Sequence, residues 1–484
     1  MKKILALALV CILALGLTGA ALAADDVTTL KVLVRTGDLS GYQPGIDALN
    51  EKLAQAGIKA KLEWIGQASS GYPDFVNNML LTWDENEVYD LIYVQGTAID
   101  PGYLGSLGLL VDMTDLLAAS KNAKAVYDAN PILQAQFASC PYLMWPSQVN
   151  KVLQFRTDAL KACPSYEAFL AKPDQDAYAK LFEELAAQSY EGALTTQGID
   201  YLFDTGIDGG FGITATWLRQ EDGSYVYSRV SDNFLKELQW WRQLYVNGSL
   251  HANFATDNWE SMENALYTGK VAGIAMKGGA YTVYYDTNTV QNYGEDATLT
   301  ILPPMVSEAG DQQYKITSNK FDRGWVISTT CKDPQLAFDV LDFMLSEEGR
   351  KFDLFGIEGT DYTLNGDGTY NLLVNSSETS IYRIFDADVF GGIDVQAITT
   401  GVPYWPAPSF ASSEMTAKYG KADNDFVIPE EYVTAWTACE ALWKEFATQY
   451  ILGEKTDADW QAFVDTWNSY GGNQVAAYAA TVIK

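Results

Sequence analysis

An α/β fold is what this sequence predicts, on two observations: strand and helix signals alternate over the first hundred residues, and the later helices each carry one apolar face. The first strand signal is "TLKVLVRTG", where Leu30, Val32 and Val34 alternate before Arg35-Thr36-Gly37 closes the run. Gly45 to Gln55 has helical spacing, and "IKAKLEWIG" supplies a second strand. "VYDLIYVQGT" is a third, a nearly continuous apolar run of the kind buried in parallel sheets. Strand, helix, strand, helix, strand is the pattern of a layered α/β architecture.

Further along, helix punctuation is clear. In "DPQLAFDVLDFMLSEEG", Asp333 caps, Pro334 suits the first helical position, and Ala337, Val340, Leu341, Met344 and Leu345 share a face before Gly349. "SDNFLKELQWWRQLYVNG" aligns Phe234, Leu238, Trp241 and Tyr245 and stops at Gly248. Thr456 and Asp459 form a capping-box pattern for a helix stacking Trp460, Phe463, Val464 and Trp467, which read as packing residues. Between these helices, the apolar strand Val271 to Met276 runs into Lys277-Gly278-Gly279 and sets Tyr281 beside a turn.

Composition narrows the class. Lys2 and Lys3, the apolar run Ile4 to Leu17 and Ala21-Leu22-Ala23 read as a secretory signal peptide over 1–23. Cys11 lies inside that run after Val10, which argues against lipid attachment. The rest is expected to be exported and soluble, as two or three domains of ordinary size. A net charge of -30 repels nucleic acid and anionic membranes and favours neutral or cationic partners. Beyond Cys11, Cys140, Cys163, Cys331 and Cys439 allow three pairings, with Cys140 to Cys163 preferred as the shortest loop. The single histidine, His251, sits beside a turn and reads as surface structure; no metal or cofactor is expected.

With one histidine, any Ser/His/Asp or Cys/His arrangement would have to use His251, which has no recognisable context, and no G-x-S-x-G elbow is present. Carboxylate pairs carry no signal in a chain with 62 acidic residues. "TLNGDGTYNLLV" has calcium-loop offsets at Asn365, Asp367 and Gly368, but Thr363 and Val374 stand where acids belong, so it reads as a glycine-rich turn.

Five segments, in order, carry a family resemblance: "GYLGSLGLLVDMTDLL", "FRTDAL", "LYTGKVAGIAMKGGAY", "RGWVISTTCKDPQLAFDVLDFMLSEEG" and "GIEGTDYT". Together they resemble family 1 extracellular solute-binding proteins, the receptors of ABC importers, and the LipO-like oligosaccharide-binding branch in particular. The resemblance implies a two-lobed periplasmic-binding-protein-like fold with a hinge and an interlobe ligand cleft. Residues 24–147 and 303–400 would form one lobe, and 148–302 and 401–484 the other, with "MWPSQ" and "ILPP" near the crossovers. It further implies capture of an oligosaccharide by a monomer, periplasmic or at the cell surface, and delivery to a permease without catalysis. A secreted carbohydrate-active hydrolase using a carboxylate pair is the alternative.

A neutral glycan presents hydroxyls and patches of ring C–H, so flat aromatics with a few polar groups suit it. Tyr281, after Gly278-Gly279, is one candidate platform. Tyr404 and Trp405 sit among prolines in "GVPYWPAPSF", outside any amphipathic period, and Trp145 adjoins Pro146 at a proposed crossover. Strand ends that face the crevice of open α/β sheets nominate Asp38, Gln95 and Glu63 with Trp64; Arg323 and Trp325 complete the set. Acidic uronates fit less easily, because the net charge opposes them and the arginines in view are Arg156, Arg323 and Arg383.

Overall fold

The computed structural model describes residues 27–68, 70–82, 88–95, 99–147, 151–188, 190–316, 323–376, 385, 393–426 and 428–483. The expected signal peptide, 1–23, lies outside the described residues. Among the described residues, the first sheet takes β1 (Thr28–Val34), β2 (Ala60–Gly66), β3 (Leu91–Gln95) and β4 (Met144–Ser147), with α1 (Gln43–Gln55) between β1 and β2 and further helices between the later strands. β1 lies between β2 and β3, parallel to both, with Val32 opposite Trp64 and Leu91. Both faces of β1 are covered, because Leu30, Val32 and Val34 pack with Ile46, Leu49 and Leu53 of α1. Leu33 packs on the other side with Tyr72 and Val76. β3 is covered in the same way, Leu91 and Tyr93 on one side and Ile92 and Val94 on the other, which gives its continuous apolar run; it is parallel to β1.

A second sheet starts at β5 (Lys151–Arg156) and adds β6 (Gly192–Thr196). A hairpin follows, β7 (Trp217–Arg219) and β8 (Tyr225–Tyr227), then α2 (Asp232–Val246), whose N-cap Ser231 accepts from the Phe234 N–H. Next come β9 (Val271–Lys277), α3 (Ala280–Tyr293) and β10 (Leu299–Ile301), giving the sheet order β10-β5-β9-β6. The chain then forms β11 (Tyr314–Ile316) and returns to the first sheet as β12 (Arg323–Ile327), antiparallel to β3 and β4. Beyond "ILPP" the chain stays against the second sheet as far as β11. The reason is packing: the Pro303 carbonyl accepts a hydrogen bond from Tyr178, the Met305 N–H donates to the Gly206 carbonyl, and Tyr314 is buried with Val152 and Ile301.

The helix expected to run through to Gly349 is two helices, α4 (Pro334–Met344) and α5 (Glu347–Phe355). Asp333 caps the first, accepting from the Leu336 N–H at 3.0 Å, and Ser346 caps the second, accepting from Gly349 at 3.1 Å. β13 (Tyr362–Leu364), β14 (Tyr370–Leu372) and β15 (Thr399–Gly401) form a small sheet. The stretch weighed as a calcium loop is the β13–β14 turn, where Asp367 accepts from the Thr369 N–H at 2.9 Å and its hydroxyl at 2.6 Å. α6 (Ala407–Tyr419) then packs against α3 and β10, so "APSF" at its start is helical rather than irregular. β16 (Gly420–Ala422) pairs with β11, and α7 (Glu430–Leu452) and α8 (Asp457–Trp467) pack on the second core with α2. The expected capping box of α8 is formed, Asp459 accepting from the Thr456 N–H at 2.9 Å and its hydroxyl at 3.0 Å.

Two sequence expectations are corrected here. The four cysteines are unpaired: Cys140 is buried in the first lobe's core and Cys163 in the second's, so the preferred bridge does not form. Burial pushes their thiols up to about 12 and about 11, which makes them unreactive packing groups. His251 is buried rather than superficial, with Nδ1 3.3 Å from Asp257 and Nε2 3.5 Å from Glu191.

Candidate functional site

Strand direction places the carboxyl ends of β1 to β4 and the amino end of β12 on one edge of the first sheet. In the second sheet the carboxyl ends of β6, β9 and β10 share an edge with the amino end of β5. Ligand crevices in open α/β sheets lie outside such carboxyl edges. The two edges touch where Arg323, first residue of β12, donates from Nη2 to the hydroxyl of Tyr281, second residue of α3.

Tyr281 is placed there by local chemistry. Gly279 turns the chain from β9 into α3 at φ +60°, a conformation that a side chain rarely adopts, and its N–H donates to Ser412 Oγ at 2.6 Å. Gln154, fully buried in β5, fixes the same turn: its Nε2 donates to the Lys277 carbonyl at 2.9 Å and its Oε1 accepts from the Thr282 hydroxyl at 2.8 Å. The half-buried Tyr281 ring meets Trp259 edge-on, with centroids 5.6 Å apart. Lys277 Nζ lies 5.1 Å and Arg323 Cζ 5.5 Å from its centre. An aromatic face is thus presented between two cations at the junction of the lobes. Sequence reasoning misses Lys277, Gln154 and Trp259; only Trp259 has a local signal, the helix start at Asn258 with Ser261 completing a capping box.

Behind the second edge lies a dense ion cluster. Lys151 donates to the carbonyls of Asp200 and Phe203 at 2.5 and 3.0 Å. Asp204 pairs with Lys315 at 2.7 Å and with Arg229 at 2.8 Å, and is the only non-glycine among the described residues with positive φ. Arg229 also meets Asp208 at 2.8 Å and Glu237 at 3.8 Å. Burial alone would raise the Asp204 carboxyl, but Lys315, Arg229 and Lys151 hold it well below the ordinary range. Burial lowers the Lys151 ammonium to about 8 against the pull of Asp204 and Asp200. Glu237 goes the other way: burial, and then Asp208, push its carboxyl well above the usual range.

That opposition gives a pH prediction. Native Glu237 holds its proton above the unfolded value of 4.5, so the native state binds more protons and stability falls as pH rises from there towards the raised value. Glu237→Gln is expected to match the parent near pH 4 and exceed it at pH 7 by about 1 kcal/mol or more, since a tenfold difference in proton affinity corresponds to about 1.4 kcal/mol. Urea unfolding at both pH values checks it; a variant weaker at pH 7 would mean Glu237 is ionised. Asp204 acts at lower pH, its contribution being lost only as pH drops below 3.8 and through its depressed value.

The structure brings Tyr281 and Arg323 together and distributes the other candidates. Asp38, exposed after β1, accepts from the Ser40 N–H at 2.8 Å, and that bond holds its carboxyl below the ordinary range. Gln95 and Trp145 lie on β3 and β4, but their side chains are outside the described residues. Glu63 is exposed in the body of β2 opposite Lys31, three residues short of the strand's end. Trp64 and Trp325 are core residues, which corrects their candidacy: Trp325 is 0% exposed, stacked on Phe385 at 4.6 Å and crossed by Trp64 at 6.3 Å. Tyr404 is likewise buried, packed on Phe355 and Tyr370. Trp405 is half-buried between Tyr404 and Phe410, its indole N–H without a partner among the described residues. The prolines around these two residues deliver them to a seam between α5, the small sheet and α6.

Residues 36–351 match the profile of the bacterial extracellular solute-binding protein family. The chain belongs to that family. Solved structures share the fold of this solute-binding protein over nearly its whole length. The Streptococcus pneumoniae ABC-transporter substrate binding protein FusA in complex with kestose has a TM-score of 0.64 at 16% identity, covering 94% of this chain and 98% of its own. An HMO binding, ABC-transporter associated solute binding protein from Bifidobacterium longum infantis has a TM-score of 0.64 at 14% identity, with the same coverage of 94% and 98%. The N-glycan transport solute binding protein NgtS from Streptococcus pneumoniae has a TM-score of 0.65 at 12% identity, covering 93% and 97%. No curated protein matches the chain. Among the described residues, no helix of this solute-binding protein is long and apolar enough to cross a membrane.

Proposed function

We propose that this solute-binding protein captures an oligosaccharide between its lobes and delivers it, chemically unchanged, to the permease of an ABC importer. The observation that carries the reading is Tyr281, a half-buried aromatic held at the meeting of two carboxyl edges with Lys277 and Arg323 beside it. A sugar's C–H face lies on such a ring while its hydroxyls take donors from the flanking cations and strand ends. The sugar and glycan ligands named for FusA, NgtS and the Bifidobacterium protein support the substrate class. The LipO-like branch, export by the 1–23 signal, a monomeric state and closure about the crossovers belong to the same proposal. Tyr281 and Arg323 would contact the ligand, with Asp38, Gln95, Trp145 and Trp405 at the margins.

Chemistry on the glycan is not part of it. Asp200 and Asp204, behind the second edge, are ion-paired to Lys444 and Lys315 at 2.8 and 2.7 Å, and the cations around Asp204 hold its carboxyl well below the ordinary range. The one carboxyl in this cluster held well above its usual range, Glu237, is fully buried behind Arg229. Glycosidic cleavage needs a raised acid beside the bond. A panel of oligosaccharides followed by thermal unfolding tests capture: a ligand at a hundred times its dissociation constant adds about 2.7 kcal/mol. No stabilisation by any glycan removes the sugar reading, and shortened products on chromatography would establish the hydrolase instead.

A further inference from the structure

We propose that Arg35 gives the cleft a preference for oligosaccharides bearing a carboxylate, an inference that rests on the proposed capture of a glycan. Net charge and the arginines in view argue against acidic sugars at the level of sequence. In the structure those arginines are otherwise engaged: Arg156 forks onto Asp158 at 3.1 and 2.6 Å and lies 3.8 Å over Tyr293, and Arg323 donates to Tyr281. Arg383 lies outside the described residues.

Arg35, which in sequence only closes a strand, stands immediately after β1 on the edge that also carries Arg323. Its Nε is sealed from solvent, and among the described residues its guanidinium has no hydrogen-bond or ion-pair partner. In a chain with 62 acidic residues to 32 basic ones, a partly buried arginine that meets no carboxylate among the described residues is conspicuous. Leaving a buried donor unsatisfied costs roughly 1–3 kcal/mol, more when it is charged. A group kept in that condition at a crevice edge is satisfied by something that arrives there.

Its setting is rigid. The Gln67 and Thr36 N–H groups both donate to the Val34 carbonyl, at 2.9 and 3.0 Å, and lock the end of β1 to the end of β2. At Gly66 a Cβ would stand 2.2 Å from the Thr36 carbonyl, so only glycine allows this approach. A guanidinium fork presented on a fixed backbone matches a carboxylate with two parallel hydrogen bonds, which a hydroxyl cannot supply. Asp38, exposed and three residues on, opposes an anion, as does the overall charge of -30. The preference is therefore local to Arg35, with Arg323 on the same edge and Lys277 across from it.

The test uses the full mature chain and two matched pairs, tri-galacturonate with galactotriose and sialyllactose with lactose, titrated calorimetrically against parent and Arg35→Gln. In the parent, the acidic member of at least one pair is expected to bind tenfold or more tightly than its neutral partner. Arg35→Gln is expected to bring that ratio to about one, while Arg35→Lys retains part of it. The glutamine variant should unfold no earlier than the parent, since it removes an unsatisfied charge. Equal binding of both members by the parent, or a ratio that survives Arg35→Gln, overturns this inference and leaves glycan capture standing. No binding of either pair or of the wider glycan panel overturns both.

Discussion

Arg229→Met is expected to lower stability by roughly 3–5 kcal/mol, the usual consequence of stripping one partner from a buried charge cluster. Arg229 is 3% exposed and holds Asp204 and Asp208 at 2.8 Å each, with Glu237 at 3.8 Å. Its guanidinium also lies over the rings of Phe203 at 4.8 Å, Phe234 at 5.1 Å and Trp443 at 5.5 Å, so its plane is packed as well as paired. Methionine fills most of the volume and removes the charge, isolating the electrostatic part of the loss. The buried Asp208 and Glu237 and the half-buried Asp204 are then left with Lys315 and Lys151 as the cations of the cluster. Arg229→Lys keeps the charge but cannot fork between Asp204 and Asp208, and should fall between. Adding Asp208→Asn to the methionine variant should recover part of the loss, because it removes a stranded carboxylate. Urea unfolding of the set measures all three; a loss under about 1 kcal/mol for Arg229→Met would show that packing, not charge, holds this node.

The same cluster shows where the reading of sequence stops. Strand β1 was legible by its alternation and β3 because burial on both faces leaves a continuous apolar run, and the caps at Asp333 and Thr456 were legible because they act within three residues. Asp204 with Lys315 is a contact between distant parts of the chain, and no local pattern encodes it. α3 is illegible for a different reason. Its sequence, "AYTVYYDTNTVQNY", is rich in β-branched, aromatic and amide residues of modest helix propensity. It is helical because Thr282, Val283, Tyr285, Asp286 and Thr289 dock onto the second lobe, a tertiary effect that overrides propensity.

The candidate site divides along the same line. Tyr404 and Trp405, flagged by their loop context, are indeed unexplained by periodicity, but a proline-rich seam uses flat side chains as readily as a sugar platform does. Trp325 follows strand alternation into the core, where alternation sends it. Tyr281 and Arg323 are legible one residue at a time, the first just past a strand and the second at the start of one; that they meet across the lobes requires the fold. Arg35 is hidden by the net charge, since an excess of acids suggests that every arginine has a partner.

Tyr281→Ala is expected to weaken the best-bound glycan of the panel by about 2–4 kcal/mol, the range for truncating a central aromatic anchor, or roughly thirty- to a thousandfold. Two losses combine. The ring face goes, and Arg323 loses the hydroxyl that accepts from it. Tyr281→Phe separates them: it keeps the ring against Trp259 and removes only the hydroxyl, so it should cost about 1 kcal/mol. The unliganded protein should tolerate both changes, because Tyr281 is half-buried and its edge-on contact with Trp259 is worth roughly 0.5–1.5 kcal/mol beyond area. Gly279→Ala is the complementary perturbation. It leaves every ligand-facing group in place but strains the +60° turn that aims α3, and should weaken binding while Tyr281 itself is intact. Titration of the three variants with one glycan orders the contributions as ring, aim and hydroxyl. If alanine and phenylalanine weaken binding equally, the hydroxyl and its bond to Arg323 carry the site, and the aromatic face does not.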